Sequence, residues 1–425
     1  MILRLRTLFW ILVGALALQA APADSLGLVD VVELALQRSW RLKGDSALVG
    51  AEEKAVQAQR SRFYPRVSLQ GHHFQFFYNQ YNYKEQGAEL VLDWLPGNWF
   101  MRLDQVQQRA VSAQQKSVQA ARLEVAGRTI GLYMALQTAW LELNQLQVRQ
   151  EMLRQHLEIN RGLWQAGVRT ELDVIQTRQA LQQVVEALIL QQGRVSALTR
   201  QLALQLGRAP DQPLPLAKLD PARWIRLLHG DSLPARRPRL AGHPQLQALK
   251  FQEEFLRLSK KKVNASLWPQ LQLGTGYVID RDPTGSGNYA IAALQFQLPL
   301  FQWGASRLKK QELEARARAV GWQYRQTERQ FQQQLQHLAE QQDALNNALK
   351  AQGEEIRLAE QALELAQANY RSGLSTNLDV LFAQQKLFES RLRLARTRMA
   401  LLENLLQTRL LTGNLKTILT AGARP

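Results

Sequence analysis

The chain contains one unit in two copies. Three landmarks of the first half return in the same order, each about 204 to 206 residues later. Three matches at nearly one offset indicate an internal duplication, so the fold must accommodate two similar halves. The matched pairs are residues 63–69 with 267–273, residues 164–174 with 370–380, and Leu206-Gly207 with Thr412-Gly413.

Each copy predicts the same order of elements. A helix of moderate length leads to Pro65 or Pro269, and an extended segment begins there because the residue before proline avoids the α region. Two strands, a very long helix, a glycine-containing turn and a shorter helix follow, and the last helix ends at Gly207 or Gly413. The first helices are predicted over residues 28–61 and 244–263, and the long helices over residues 103–164 and 308–370.

The long helices carry a narrow apolar seam. In the second copy its members are spaced alternately three and four residues apart, which is the pattern of a coiled coil. The two registers of the seam are Leu335, Leu349, Ile356, Leu363 and Tyr370, and Leu338, Leu345, Ala359 and Ala366. Gln342 and Gln352 interrupt the seam. A helix of this length reaches roughly 90 Å, about as far as two of the shorter helices placed end to end.

The segments after each proline alternate apolar and polar residues and predict membrane strands. The predicted strands are residues 66–83 and 87–95 in the first copy, and residues 269–280 and 289–298 in the second. Strands of 9 to 12 residues with aromatic residues near their ends are typical of an outer-membrane barrel. A small soluble β-domain is the alternative, because the signal of each single strand is weak.

Four strands per chain cannot form a closed barrel, and lipid does not tolerate open sheet edges. The barrel must therefore be completed by other copies of the chain. Two copies would give eight strands around a filled interior, whereas three would give twelve strands and a lumen. The predicted fold class is mainly α with a pair of membrane β-hairpins per chain. A long coiled-coil helical barrel and a 12-stranded β-barrel would be completed by trimerisation.

The first residues have the pattern of a secretory signal peptide. Arg4 and Arg6 precede an apolar run up to Leu18, and Ala21-Pro22-Ala23 follows, so cleavage is expected before Asp24. An uncleaved N-terminal anchor is the alternative. The expected organisation is a signal peptide (1–23), a first repeat (24–207), an equatorial linker (208–242), a second repeat (243–413) and a C-terminal tail (414–425).

The amino-acid composition limits the possible functions of the chain. The absence of cysteine excludes a disulfide framework, a thiolate metal site and a lipid-modified N-terminal cysteine. The net charge is +17, from 53 Lys and Arg against 36 Asp and Glu. Most of the basic residues are scattered along predicted helices without a nucleic-acid motif, so we expect solvated helix faces and no nucleic-acid partner. A soluble coiled-coil scaffold that binds polyanions through this basic surface is the alternative function.

The sequence gives little support for a catalytic or metal site. His72 and His73 are adjacent strand residues and face opposite sides of the sheet, and the other histidines, His156 among them, are isolated in the sequence. There is no nucleophile elbow, phosphate-binding glycine loop or metal-spaced cluster. We therefore expect that the protein is not an enzyme and that it binds no cofactor and no metal.

The duplicated motifs together resemble the TolC-like outer membrane efflux proteins over essentially the whole mature chain. The resemblance rests on the two x-Pro strand starts, on the strand-to-helix segment 298–304, and on the turns 166–168 and 372–374, each followed closely by Leu-Asp-Val. The corresponding first-half segment 95–99 departs from the usual form but keeps proline and glycine.

The resemblance implies a homotrimeric export duct in the outer membrane, with its helical barrel in the periplasm. The duct would be a passive part of a tripartite efflux or type I secretion system, partnered by a periplasmic adaptor, an inner-membrane transporter and outer-membrane lipid. By similarity, the two turns would form the periplasmic tip that docks the adaptor, through Gly167, Val168, Gly373 and Leu374.

The resemblance also implies a gate at the same end, with contributions from Asp173, Tyr370 and Asp379. Ser375 and Phe382 stand where a well-studied member of the family has a basic gate residue and a second pore aspartate. The polar latch and acidic ring are then either weaker here or rebuilt from Arg169 and Arg371. Plain helix caps are the alternative role of the two glycines. Acidic residues favoured by a helix dipole are the alternative role of Asp173 and Asp379.

Overall fold

The computed structural model describes residues 25–77, 82–210, 212, 214–230, 240–280 and 287–422. The expected signal peptide lies outside this range, as do parts of the expected linker and tail. The helices are α1 (Leu28–Arg38), α2 (Trp40–Ser61), α3 (Gly97–Phe100), α4 (Leu103–Gln165), α5 (Glu171–Gln205), α6 (Pro221–Gly230), α7 (Pro244–Leu258), α8 (Lys260–Ala265), α9 (Ala305–Arg371), α10 (Asn377–Leu411) and α11 (Leu415–Gly422). The strands are β1 (Arg66–Phe77), β2 (Asn82–Trp94), β3 (Gln270–Asp280) and β4 (Tyr289–Gln297).

The order of elements repeats as the sequence predicts. The long helices α4 and α9 have 63 and 67 residues. Each predicted first helix is instead two helices, and the boundary between them lies at a serine in both cases. The backbone of Ser39 leaves the helical region at φ −59° and ψ 114°. Ser259 keeps near-helical angles of φ −62° and ψ −16°, and its hydroxyl donates to the Phe255 carbonyl at 2.7 Å.

The four strands form one antiparallel sheet in the order β1-β2-β3-β4. The β2–β3 pair joins the two copies, and β1 and β4 are the outer strands. The second strand begins at Asn82 rather than at the predicted residue 87, because its hairpin register pairs Phe77 with Asn82.

The register places most apolar strand residues on one face of the sheet. Leu69 lies opposite Leu90, Leu92 opposite Leu273, and Leu273 opposite Leu294. Four of these leucines are 49% to 76% exposed: Leu69, Leu90, Leu273 and Leu294. The opposite face carries residues such as Gln272, whose partners are Asp93 and Gln295. The predicted alternation is therefore confirmed, and the sheet has one apolar and one polar surface.

The chain divides into two compact units. The sheet unit consists of residues 41–121 and 240–330, and the helical unit of the remaining residues. In the sheet unit, Leu103, Val106 and Ala265 form a buried cluster. In the helical unit, a buried cluster around Leu363, Tyr370, Val380, Ala383 and Leu387 packs next to the turn between α9 and α10. Within the described ranges, no helix combines the length and apolar character required to cross a membrane.

One buried carboxylate joins three helices of the helical unit. The side chain of Glu142 on α4 is only 8% exposed. It accepts from Arg396 Nε of α10 at 2.7 Å, and Arg194 Nη1 of α5 lies 3.4 Å from its other oxygen. The two arginines are more than half exposed, so their charges remain hydrated while they compensate the buried acid.

Candidate functional site

The two helix–helix turns have the same backbone construction. Gly167 and Gly373 adopt φ values of +70° and +86°, the left-handed region that glycine enters without steric cost. The next amides close the preceding helices: Val168 N donates to the Leu163 carbonyl at 2.9 Å, and Leu374 N donates to the Asn369 carbonyl at 2.8 Å. These are glycine C-caps with a following amide bonded back into the last turn.

Each turn exposes an apolar side chain directly after its glycine. Val168 is 62% exposed and Leu374 is 80% exposed. The start of each following helix continues the pattern, because Leu172 and Leu378 are also more than half exposed. Several large apolar side chains exposed around one pair of turns are typical of an interaction site.

Next to the turns, buried polar side chains from the four helices α4, α5, α9 and α10 form one hydrogen-bonded cluster. Asn160 of α4 is fully buried and lies at its centre. Its Nδ2 donates to Thr177 Oγ1 of α5 at 2.8 Å and to Asn377 Oδ1 of α10 at 3.0 Å, and its Oδ1 accepts from the Tyr370 hydroxyl of α9 at 3.0 Å. We call Asn160, His156, Thr177, Tyr370 and Asn377 the polar cluster.

Tyr370 connects the polar cluster to Asp173. Its hydroxyl lies 3.4 Å from Asp173 Oδ2, and the side chain is buried. Burial, with the nearby negative charge of Asp173, raises the pKa of Tyr370 to about 12. The phenol therefore remains a hydrogen-bond donor throughout the physiological range.

Arg169 holds the same tyrosine from the turn before α5. Its guanidinium lies 4.1 Å over the Tyr370 ring, a cation–π geometry. The same group donates to the Tyr370 carbonyl and, at 3.4 Å, to the Ser375 carbonyl. One arginine thus ties the first turn to the end of α9 and to the second turn.

His156, although isolated in the sequence, is part of the polar cluster. Its Nε2 lies 2.8 Å from Asn377 Oδ1, a hydrogen bond that the tautomer protonated on Nε2 makes. Burial is the main influence on this imidazole and lowers its pKa below the ordinary 6.5. The histidine is accordingly neutral at neutral pH.

Asp379 does not join Tyr370 and Asp173 but caps α10. Its Oδ2 accepts from the backbone N of Thr376 at 2.8 Å and from the Thr376 hydroxyl at 2.7 Å. These bonds lower the pKa of the Asp379 carboxyl. They form a capping box, which fixes the start of α10 directly after the second turn.

The two positions that depart from the resembled family have local roles. The Ser375 hydroxyl donates to the Ala366 carbonyl at 3.2 Å and so closes the end of α9. Phe382 is 64% exposed, with the Lys386 ammonium 5.4 Å from its ring centre. Arg371 is exposed. Among the described residues, no group of three His, Cys, Asp or Glu side chains is placed to hold a metal ion.

Comparison with known proteins agrees with this architecture. Residues 238–414 match the family model described as Outer membrane efflux protein. Among solved structures, CusC superposes with a TM-score of 0.77 at 17% identity, covering 91% of each chain. VceC of Vibrio cholerae gives a TM-score of 0.74 at 19% identity, over 91% of this chain and 96% of its own. The open state of the Neisseria gonorrhoeae MtrE outer membrane channel gives 0.72 at 16% identity, over 91% of this chain and 89% of that one.

Among curated proteins, no sequence matches the chain. At 16% to 19% identity, these three superpositions show a shared fold. The predicted fold class and the predicted resemblance to TolC-like outer membrane efflux proteins are confirmed.

Proposed function

We propose that three copies of this chain form an outer-membrane export channel of a tripartite efflux or type I secretion system. One observation carries the proposal. The sheet has an apolar face across all four strands and two outer strands, β1 and β4, each free to pair with another copy. Three such sheets give a closed 12-stranded barrel with its apolar face toward lipid and its polar face toward a lumen.

The duct itself is passive in this proposal. The sequence holds no nucleotide-binding motif, so an inner-membrane transporter would supply the energy and a periplasmic adaptor would connect it to the channel. The helices α4, α5, α9 and α10 would line the periplasmic passage. Solute would then move through a water-filled path without covalent chemistry.

The turns would form the periplasmic tip. Val168 and Leu374 would contact the adaptor, because they offer exposed apolar side chains on caps that Gly167 and Gly373 hold in one conformation. The Tyr370–Asp173 contact and the Arg169 bridge would keep the tip closed, since both connect the ends of different helices. Asp379 would act at the entrance as an exposed carboxylate on a fixed helix start.

The experiment is purification from detergent-solubilised outer membrane, followed by mass measurement and single-channel recording in planar bilayers. We expect a trimer that conducts and that brings its adaptor with it. Recovery only as a soluble monomer would overturn the proposal.

The docking surface has its own test. The double substitution Val168→Glu and Leu374→Glu should abolish export and adaptor copurification, because two charges replace the apolar contacts. The trimer should remain, since neither side chain is buried within the chain. The matched control is Val168→Ile with Leu374→Met, which keeps both positions apolar. Normal export by the glutamate variant at normal abundance would refute the docking role.

A further inference from the structure

The four places where strands and helices meet are unusually basic. The junction segments 60–66, 95–103, 260–268 and 298–310 together carry ten Lys and Arg and no Asp or Glu. They also carry seven aromatic residues. Aromatic rings beside cationic groups are typical of the boundary between a membrane and water. We call these four segments the junction collar.

The collar exposes several of its large apolar side chains, although Leu103 and Ala265 within it are buried. Trp303 is 88% exposed, Leu300 86%, Tyr64 74% and Phe301 71%. Trp303 also has a φ of +49°, a left-handed conformation that is costly for a residue with a Cβ. A strained backbone that presents a large ring to the outside indicates that the ring has a function there.

One groove in the collar combines these features. It has a volume of about 480 Å³ and lies between residues 299–302 and the first turns of α9. Leu300 and Phe301 line one part, and Arg307 and Lys310 line another. Within the described part of the chain, neither of these two cations pairs with a carboxylate. Glu314 also lines the groove, but Lys260 is bonded to it and compensates its charge.

We propose that this groove binds the headgroup of an anionic phospholipid, with Arg307 and Lys310 on the phosphate and with Leu300, Phe301 and Trp303 against the acyl chains. The inference rests on the proposed function, which places the collar at the periplasmic leaflet of the outer membrane. The guanidinium of arginine matches a phosphate in geometry and charge, and the lysine adds a point charge.

The proposed assembly gives an independent reason for an anion here. In a closed barrel, β4 of one copy pairs with β1 of the next, which brings segment 298–310 beside the neighbour's segment 60–66. Each segment carries three cations and no acid. Arg62 and Arg66 are exposed in the single chain, as is Arg307. Like charges placed side by side repel one another, so an anionic headgroup between them would be favourable.

The test is native mass spectrometry of the full-length protein, purified in detergent and titrated with phosphatidylglycerol or with phosphatidylcholine. We expect saturable binding with a clear preference for phosphatidylglycerol. Arg307→Gln with Lys310→Gln should weaken phosphatidylglycerol binding by about ten- to thirty-fold, as expected for two cations at a headgroup. Binding of phosphatidylcholine should change little.

The matched control is Lys309→Gln with Arg316→Gln. It removes the same charge from the same helix, but both side chains pair with Glu312 and neither lines the groove. This control should retain the preference for phosphatidylglycerol.

Four outcomes would overturn the proposal. Equal affinity for the two lipids, or equal phosphatidylglycerol binding by wild type and Arg307→Gln/Lys310→Gln, would exclude a headgroup site. Displacement of the lipid by millimolar inorganic phosphate would identify a simple phosphate site instead. A loss of trimer in the variant without a change in lipid preference would show that the groove is a contact between copies. A conducting trimer without lipid preference would refute only this inference, whereas a soluble monomer would refute the proposed function.

Discussion

Replacing Tyr370 by phenylalanine removes one hydroxyl from the polar cluster and leaves the ring in place. The ring would keep its contact with the Arg169 guanidinium and its packing against Leu363 and Val380. The change therefore isolates the hydrogen bond from the Tyr370 hydroxyl to Asn160 Oδ1, together with the weaker approach to Asp173.

The size of the effect on the opening equilibrium follows from the burial of Asn160. Asn160 is 0% exposed, and among the described contacts its Oδ1 accepts from the Tyr370 hydroxyl, so removal of that hydroxyl leaves a buried acceptor unsatisfied. An unsatisfied buried acceptor costs about 1–3 kcal/mol, whereas a hydrogen bond between exposed groups contributes less. The closed arrangement of the turn region should lose that amount relative to its opened form. The opening equilibrium should therefore rise about 5- to 150-fold.

Hydrogen exchange of the backbone amides around residues 160–177 measures this equilibrium directly. The control is Tyr324→Phe, which removes a hydroxyl from a half-buried tyrosine on the same helix but far from the turns. Exchange should accelerate only in Tyr370→Phe, and single-channel records should show a higher open fraction. Unchanged exchange in the turn region would show that the polar cluster does not hold the tip closed.

Three further predictions concern other parts of the helical unit. Lowering the pH from about 7.5 to 5.5 should speed exchange at the turns, because the pKa of His156 is below 6.5 in the closed form and the opened form therefore binds a proton more readily. The contribution of neutral His156 to the stability of the closed form is therefore fully present above about pH 6.5, and it is lost as the pH falls toward the pKa of the closed form. The substitution His156→Gln should abolish this pH dependence. Arg194→Ala or Arg396→Ala alone should cost less than about 1 kcal/mol, since each arginine is half exposed and the other still pairs with Glu142. The double variant should cost about 2–4 kcal/mol in thermal unfolding, and simple additivity would contradict the shared-carboxylate reasoning. Asp379→Asn should fray the first turn of α10, seen as faster exchange at residues 377–380, whereas unchanged exchange would show that the capping box is dispensable.

The long helices and the sheet were predictable because their signals are periodic and repeated. The predicted bounds of the long helices lie within three residues of the observed bounds of α4 and α9, because the apolar seam runs to the glycine turns. The start of β2 was missed because Lys84, Glu85 and Gln86 interrupt the alternation, and only the register with β1 shows that they continue the strand. Local pattern therefore underestimates a strand whose pairing partner determines its length.

The polar cluster was not predictable from local pattern. Asn160 and Asn377 are 217 residues apart in sequence, and each alone reads as a polar interruption of a coiled-coil seam. One signal pointed to the cluster: His156, Asn160 and Thr177 occupy buried positions in the helical unit. Buried polar side chains require hydrogen-bond partners. The partner of each was set by the packing of four helices, which no single segment determines.

The two outer strands also constrain how the channel can be made. A single folded chain presents the unpaired backbone edges of β1 and β4, and such edges invite pairing with any other extended chain. Newly secreted copies that meet the wrong edge would aggregate, and a copy that entered lipid alone would leave its edge amides without acceptors. Biogenesis should therefore depend steeply on the concentration of chains, and association of the three copies should accompany insertion rather than follow it.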